Sequence, residues 1–268
     1  MNKNTAANDR RSLKTFFLYA AIVLFFIIIS LAIKTFFIIQ QSKFDGEHQF
    51  IVAIAKGKNV EEVISFNPAM PAVSLLQIKG KPVSLASFGK TFGFIPDATI
   101  TAMSDMQLGS DVAKTMTAVA WRYNRLKTDI TIFDIARLLF ISKKAKNTID
   151  EITLPADTVL LDKKMVTLFT DEAISAENVT IQIVNASDVS GLGKRLERVL
   201  TNRGGNVVSI ATSHTPETSS KIQYFGKETY TLKKLGKLLQ FPITQLEKET
   251  IANIVIVLGE DSQNTTKF

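Results

Sequence analysis

Four lysines stand in two Lys-Gly-Lys triplets, Lys56-Gly57-Lys58 and Lys79-Gly80-Lys81, each directly after a run that reads as a β-strand. Ammonium groups gathered at the ends of neighbouring strands would attract the phosphates or carboxylates of an anionic glycopolymer or lipid. The plainer reading is a set of solvated loop lysines. A second polar set, Asn185, Ser187, Ser190 and Gly191, precedes a helix start. Free N–H groups and the helix dipole favour anions there, although capping by Ser190 is the simpler account. These eight residues are the candidate ligand-binding positions. None is assigned a catalytic or metal-ligating role, and no cofactor is implied.

Other constellations fail on spacing. Gly89-Lys90-Thr91 resembles the end of a phosphate loop, but Ser84 stands where that motif needs its first glycine. The two histidines, His48 and His214, fall in a tether and a polar loop without companions at metal-ligand spacing, and read as solvated. A Ser-His-Asp triad has no structured histidine to use. Glu61 and Glu62 are adjacent on a strand, point to opposite faces and read as exposed charges rather than an acid–base pair. The chain has no cysteine, which removes disulfides, thiol catalysis and thiolate metal sites.

The elements that position these residues begin with a membrane anchor. Phe16 to Ile33 is 18 uncharged residues, extended past Lys34 by Phe36 to Ile39. About 20 apolar residues cross a bilayer core, and a lysine near a helix end can snorkel. Lys3, Arg10, Arg11 and Lys14 precede the run against one acid, Asp9, so the tail belongs in the cytoplasm and the bulk outside. A cleaved signal peptide with a site near Ser30-Leu31-Ala32 is the rival, disfavoured because the apolar run continues beyond it. With Lys34, these charges supply +4 of the chain's +7 and leave 27 basic and 24 acidic residues elsewhere. The basic balance is therefore a topology signal, and nucleic-acid binding is not expected.

A polar tether, Gln40 to Gln49, leads to strands at Phe50–Ala55, Val60–Phe66 and Val73–Ile78, a short helix at Ser84–Phe92 and a strand at Ala98–Met103. A helix over Asp111–Leu126 is capped by Ser110 and buries Val112, Met116, Val119, Tyr123 and Leu126. Another over Ile132–Ser142 is capped by Thr131, with Phe133, Ala136 and Phe140 on one face. Ile149–Leu154 and Val159–Leu161 read as strands, and the acidic stretch Thr170–Asn178 as a domain boundary. Beyond it the order is β-α-β-β-α-β. Strands fall at Val179–Val184, Asn206–Ala211, Lys221–Phe225 and Ile254–Leu258. The helix Gly191–Arg203 buries Leu192, Leu196, Val199 and Leu200, with Arg203 complementing its dipole. The helix Glu228–Leu239 turns Leu232, Leu235, Leu238 and Leu239 inward. The apolar run Ile254–Leu258 predicts a central strand covered on both faces. The fold class is α/β, with segments at 1–15 (cytoplasmic tail), 16–39 (span), 44–170, 176–262 and 263–268 (tail).

The segments Ile183-Val184-Asn185-Ala186-Ser187, Val189-Ser190-Gly191-Leu192 and Val257-Leu258-Gly259-Glu260-Asp261 resemble, in order and spacing, the LytR C-terminal domain family of bacterial cell-envelope proteins. The middle region, from Phe50–Gly57 through Val60–Pro68, Ser74–Ile78 and Phe92–Ile100 to Thr128–Phe140 and Val159–Asn178, is similar to a reduced LytR-CpsA-Psr domain. That family transfers glycopolymers from a pyrophosphate lipid to peptidoglycan. It places an Asp after its first strand and an Arg-Asp pair after its third, where this chain has its two Lys-Gly-Lys triplets. A hard divalent cation needs oxygen ligands, and lysine lacks the bidentate fork of arginine. The resemblance thus implies the family's fold without its chemistry.

The first reading is a non-catalytic, single-pass bacterial envelope protein binding wall glycopolymer or a protein partner, with the lipid bilayer as a further partner through its anchor. The alternatives are an active glycopolymer transferase, separable by metal-dependent turnover, and a bitopic assembly subunit of a division or pilus machine, separable by crosslinking.

Overall fold

The computed structural model describes residues 3–102, 109, 111–263 and 268, with side chains from residue 16 onward. The chain divides into two compact units, Met1–Ser42 and Lys43–Phe268. The first is one helix, α1 (Lys3–Gln40). Its stretch Phe16–Gln40 is long and apolar enough to cross a membrane and presents apolar side chains all round.

In the second unit, alternating apolar runs build a sheet of β1 (Phe50–Lys56), β2 (Asn59–Asn67), β3 (Ala72–Gly80), β4 (Val83–Ser84), β5 (Ala98–Ala102), β6 (Lys127–Thr128) and β7 (Lys146–Leu154). The order is β6-β5-β1-β2-β3-β7, with β4 paired to β2. Strands β1/β5 and β3/β7 are parallel, and the other pairs are antiparallel. Four helices cover this sheet: α2 (Leu85–Phe92), α3 (Val112–Trp121), α4 (Ile132–Lys144) and α5 (Thr158–Phe169). Ile64, Phe66, Val73 and Leu75 pack under α3 and α4. On the other face Ile51, Val63 and Leu76 pack with Phe88 and Phe92 of α2 and with Leu161, Met165 and Phe169 of α5.

Four expectations need correction here. Val159–Leu161 is not a strand but the first turn of α5; the window was too short to show Leu161, Met165 and Phe169 recurring every fourth residue. On α4 the buried side chains are Asp134, Ile135, Leu138 and Ser142, while Phe140 is 60% exposed. The reason lies at its first turn. Asp134 forms a capping box with Thr131 and also accepts from the Phe44 N–H at 3.1 Å, which rotates that side inward. The tether is anchored rather than loose, because Phe44 is buried and Arg137 donates to the carbonyls of Phe44 and Asp45, each at 2.7 Å. Finally, α3 ends at Trp121, and a turn of 3-10 helix at Tyr123–Arg125 follows. Its N-cap is Asp111, whose carboxylate accepts from the Lys114 N–H at 3.1 Å. Ser110 and Met103 lie outside the described residues.

After the short α6 (Glu172–Glu177) comes a second sheet of β8 (Thr180–Asn185), β9 (Asn206–Thr212), β10 (Lys221–Phe225), β11 (Ile243–Leu246) and β12 (Ile254–Leu258), with α7 (Leu192–Asn202) and α8 (Tyr230–Leu239). The order β11-β10-β12-β8-β9 places β12 at the centre, buried along its whole length. Strand β11 adds one member to the expected β-α-β-β-α-β pattern. Both helices cover one face, where Leu192, Leu196, Val199 and Leu200 meet Leu232, Leu235, Leu238 and Leu239 over Ile183 and Ile256. Val255 and Val257 face the other way and are buried with Ala186. Phe268 and Ile95 also join the larger core.

The two sheets are joined by charge. Asp97, just before β5, meets Lys234 of α8 at 3.0 Å and Arg203, just after α7, at 3.2 Å. Arg203 also donates to the Ile95 carbonyl at 2.6 Å and lies over the Phe94 ring. Arg203 is thus 1% exposed, and its place at the end of α7 serves a buried ion pair. Burial pushes the Asp97 carboxyl up, but Arg203 and Lys234 outweigh it and hold the group below its ordinary value. Nearby, Arg198 of α7 donates to the Lys90 and Thr91 carbonyls and Asn202 to that of Gly93, so α7 satisfies the C-terminal end of α2.

Candidate functional site

The two Lys-Gly-Lys triplets sit at one end of the first sheet. Lys56 pairs with Asn59 across the β1–β2 turn, and the β2/β3 register that sets Glu62 opposite Gln77 brings the end of β3 alongside it. Each glycine has a backbone reason. Gly57 turns the hairpin at φ 63° and Gly80 leaves β3 at φ 81°, where an added Cβ would strike the Leu154 carbonyl. The structure thus gathers Lys56, Lys58, Lys79 and Lys81 at one sheet end but not in one cavity.

Two clefts divide them. Lys79 and Lys81 line one of about 330 Å³ with Glu61, Glu62 and Gln77. Lys58 lines another of about 640 Å³ with Ser84, Thr101, Lys127 and Asp129. Lys56 lines neither of these two. Lys79 is ion-paired to Glu151 at 2.7 Å with both groups half-exposed, which lowers the charge it offers a ligand. Lys58 and Lys81 are exposed.

Glu62 corrects another expectation. It is 3% exposed rather than solvated; its Oε1 accepts from Gln77 at 3.2 Å, and its Oε2 has no hydrogen-bond partner. Burial chiefly pushes its carboxyl up to about 7, against the opposing Gln77 hydrogen bond. The alternation of Phe66, Ile64 and Glu62 along β2 held the signal, since all three share the face under α3 and α4.

The second set closes on itself. Asn185 ends β8 and donates to the Val189 carbonyl at 2.9 Å, while its Oδ1 accepts from the Ser187 hydroxyl at 2.8 Å. The N-cap of α7 is Gly191, at φ 77° and without a side-chain cap, so Ser190 does not cap the helix. His48 also departs from expectation: it bonds Asp45 at 2.8 Å and stacks on Tyr230 at 4.0 Å. Among the described residues no three His, Asp or Glu side chains are grouped to hold a metal ion.

No curated protein and no solved structure matches the chain. Residues 178–261 match the family described as LytR cell envelope-related transcriptional attenuator. That stretch runs from just before β8 to just past β12 and contains the Asn185–Ser187, Val189–Leu192 and Val257–Asp261 segments. The second sheet with its two helices is thus the part of the chain that is similar to the LytR C-terminal domain family.

Proposed function

We propose that the protein is anchored by α1 with residues 43–268 outside the cytoplasm, and that this part binds an anionic envelope polymer without transforming it. The observation that carries the reading is the gathering of Lys56, Lys58, Lys79 and Lys81 at one sheet end. In this reading the first lobe is a degenerate LytR-CpsA-Psr-like domain. Lysines attract a pyrophosphate or a uronate, but phosphoryl chemistry also needs a held cation and preorganised donors around the developing charge.

The test is binding of purified wall glycopolymer to residues 43–268. Affinity is expected to be weak and to fall with salt, because exposed charges are screened over about 8–10 Å at physiological ionic strength. Lys58→Ala with Lys81→Ala is expected to weaken it while leaving the fold intact. Magnesium-dependent transfer of a lipid-linked glycan would overturn the non-catalytic reading. A reporter active only outside the cytoplasm, fused after Phe268, is expected to be active; silence would overturn the topology.

A further inference from the structure

We propose that the outward face of α4, with the β2–β3 turn beside it, docks on the headgroup layer of an anionic phospholipid bilayer. The inference rests on the anchored reading above and adds a second membrane contact made by the folded part itself. Phe140 is 60% exposed at the middle of the face, and Met70 in the adjoining turn is 53% exposed. Between them lies an open, mostly apolar cleft of about 430 Å³ lined by Phe44, Pro68, Pro71, Arg137, Phe140 and Lys144. Cations surround the apolar centre. Lys143, Lys144 and Lys146 are exposed, and the Lys144 ammonium lies 4.1 Å from the Phe140 ring centroid. Two acids beside the face are already engaged, Asp134 in the capping box of α4 and Asp45 with His48, while Glu47, next to Gly46 of the cleft, is exposed.

An aromatic ring ringed by lysines is the chemistry of the bilayer interface, where rings sit at headgroup depth and cations meet lipid phosphates. Chain continuity specifies the occupant. Three residues lie between Gln40, the end of α1, and Phe44, a reach of at most about 14 Å over four Cα steps. Phe44 is held on α4 by Asp134 and Arg137, at the rim of the same cleft.

The test uses residues 43–268, a compact unit with its own cores, in flotation with vesicles of phosphatidylglycerol and phosphatidylcholine or of phosphatidylcholine alone. Co-flotation is expected with the anionic vesicles only. Affinity should fall about fivefold for each lysine removed by Lys143→Ala and Lys144→Ala, and Phe140→Ser should reduce it further. In the full chain in nanodiscs, a fluorescent reporter introduced by Phe140→Trp, with Trp121→Phe, should be quenched by brominated lipids. Absence of binding to anionic vesicles, or an unquenched reporter, overturns the proposal. Because the fragment lacks α1, that failure leaves the anchor reading intact, and the fusion reporter tests the anchor separately.

Discussion

Glu62 shows how a single charge can sit against its own fold. Its neighbours along β2, Ile64 and Phe66, are apolar and buried, and only Gln77 answers one of its oxygens. Burial lifts its carboxyl from 4.5 to about 7, so ionisation is harder in the folded than in the unfolded chain. The sign follows from linkage: the group costs nothing below about pH 4.5, and stability is lost as pH rises through 7. Glu62→Gln is therefore expected to be nearly neutral at pH 4 and to stabilise by about 1–3 kcal/mol at pH 8. Urea unfolding at the two pH values checks it; equal effects at both would contradict the account.

Helix α7 works on both of its faces. Inward, Leu192, Leu196, Val199 and Leu200 supply the core of the second lobe, and Leu196 is fully buried. Outward, Arg198 and Asn202 donate to the carbonyl end of α2 and to Asp162 of α5, the latter at 2.8 and 2.9 Å. Leu196→Ala is expected to cost about 2–5 kcal/mol, the usual range for a truncated buried leucine. A chemical-denaturation midpoint shift with unchanged slope is the readout. The leucine stripe was legible in the sequence because its period is set within one helix. The outward contacts were not, because their partners lie more than a hundred residues away at Lys90 and Gly93.

Across the whole of Lys43–Phe268, the buried Asp97–Arg203–Lys234 cluster couples the two sheets. Removing Asp97 leaves Arg203 without its carboxylate and Lys234 with only Asp171, 3.9 Å away, at a cost of about 3–5 kcal/mol. Asp97→Asn is expected to split one unfolding transition into two, seen by calorimetry as separate peaks. Since Asp97 is held below its ordinary 3.8, its contribution is present above that pH and is lost only as pH falls through the lower folded value. A wild-type protein that already unfolds in two steps at pH 7 would contradict the coupling.

The long apolar stretch of α1, most strand centres, the leucine faces of α7 and α8 and the central place of β12 were legible in the sequence, because hydrophobic period and run length are local properties. So was the similarity of residues 178–261 to the LytR C-terminal domain family, carried by three short motifs in order. Tertiary structure alone decided the rest. It buried Arg203, read from the sequence as complementing a helix dipole, and Glu62, read as an exposed charge, because burial depends on what packs over a residue and not on its type. It turned Phe140 outward because a distant backbone, at Lys43 and Phe44, claimed the Asp134 side of α4. It placed the four lysines at one sheet end yet set Lys58 in a different cleft from Lys79 and Lys81, because the return of β4 onto β2 is a long-range pairing that no local pattern encodes.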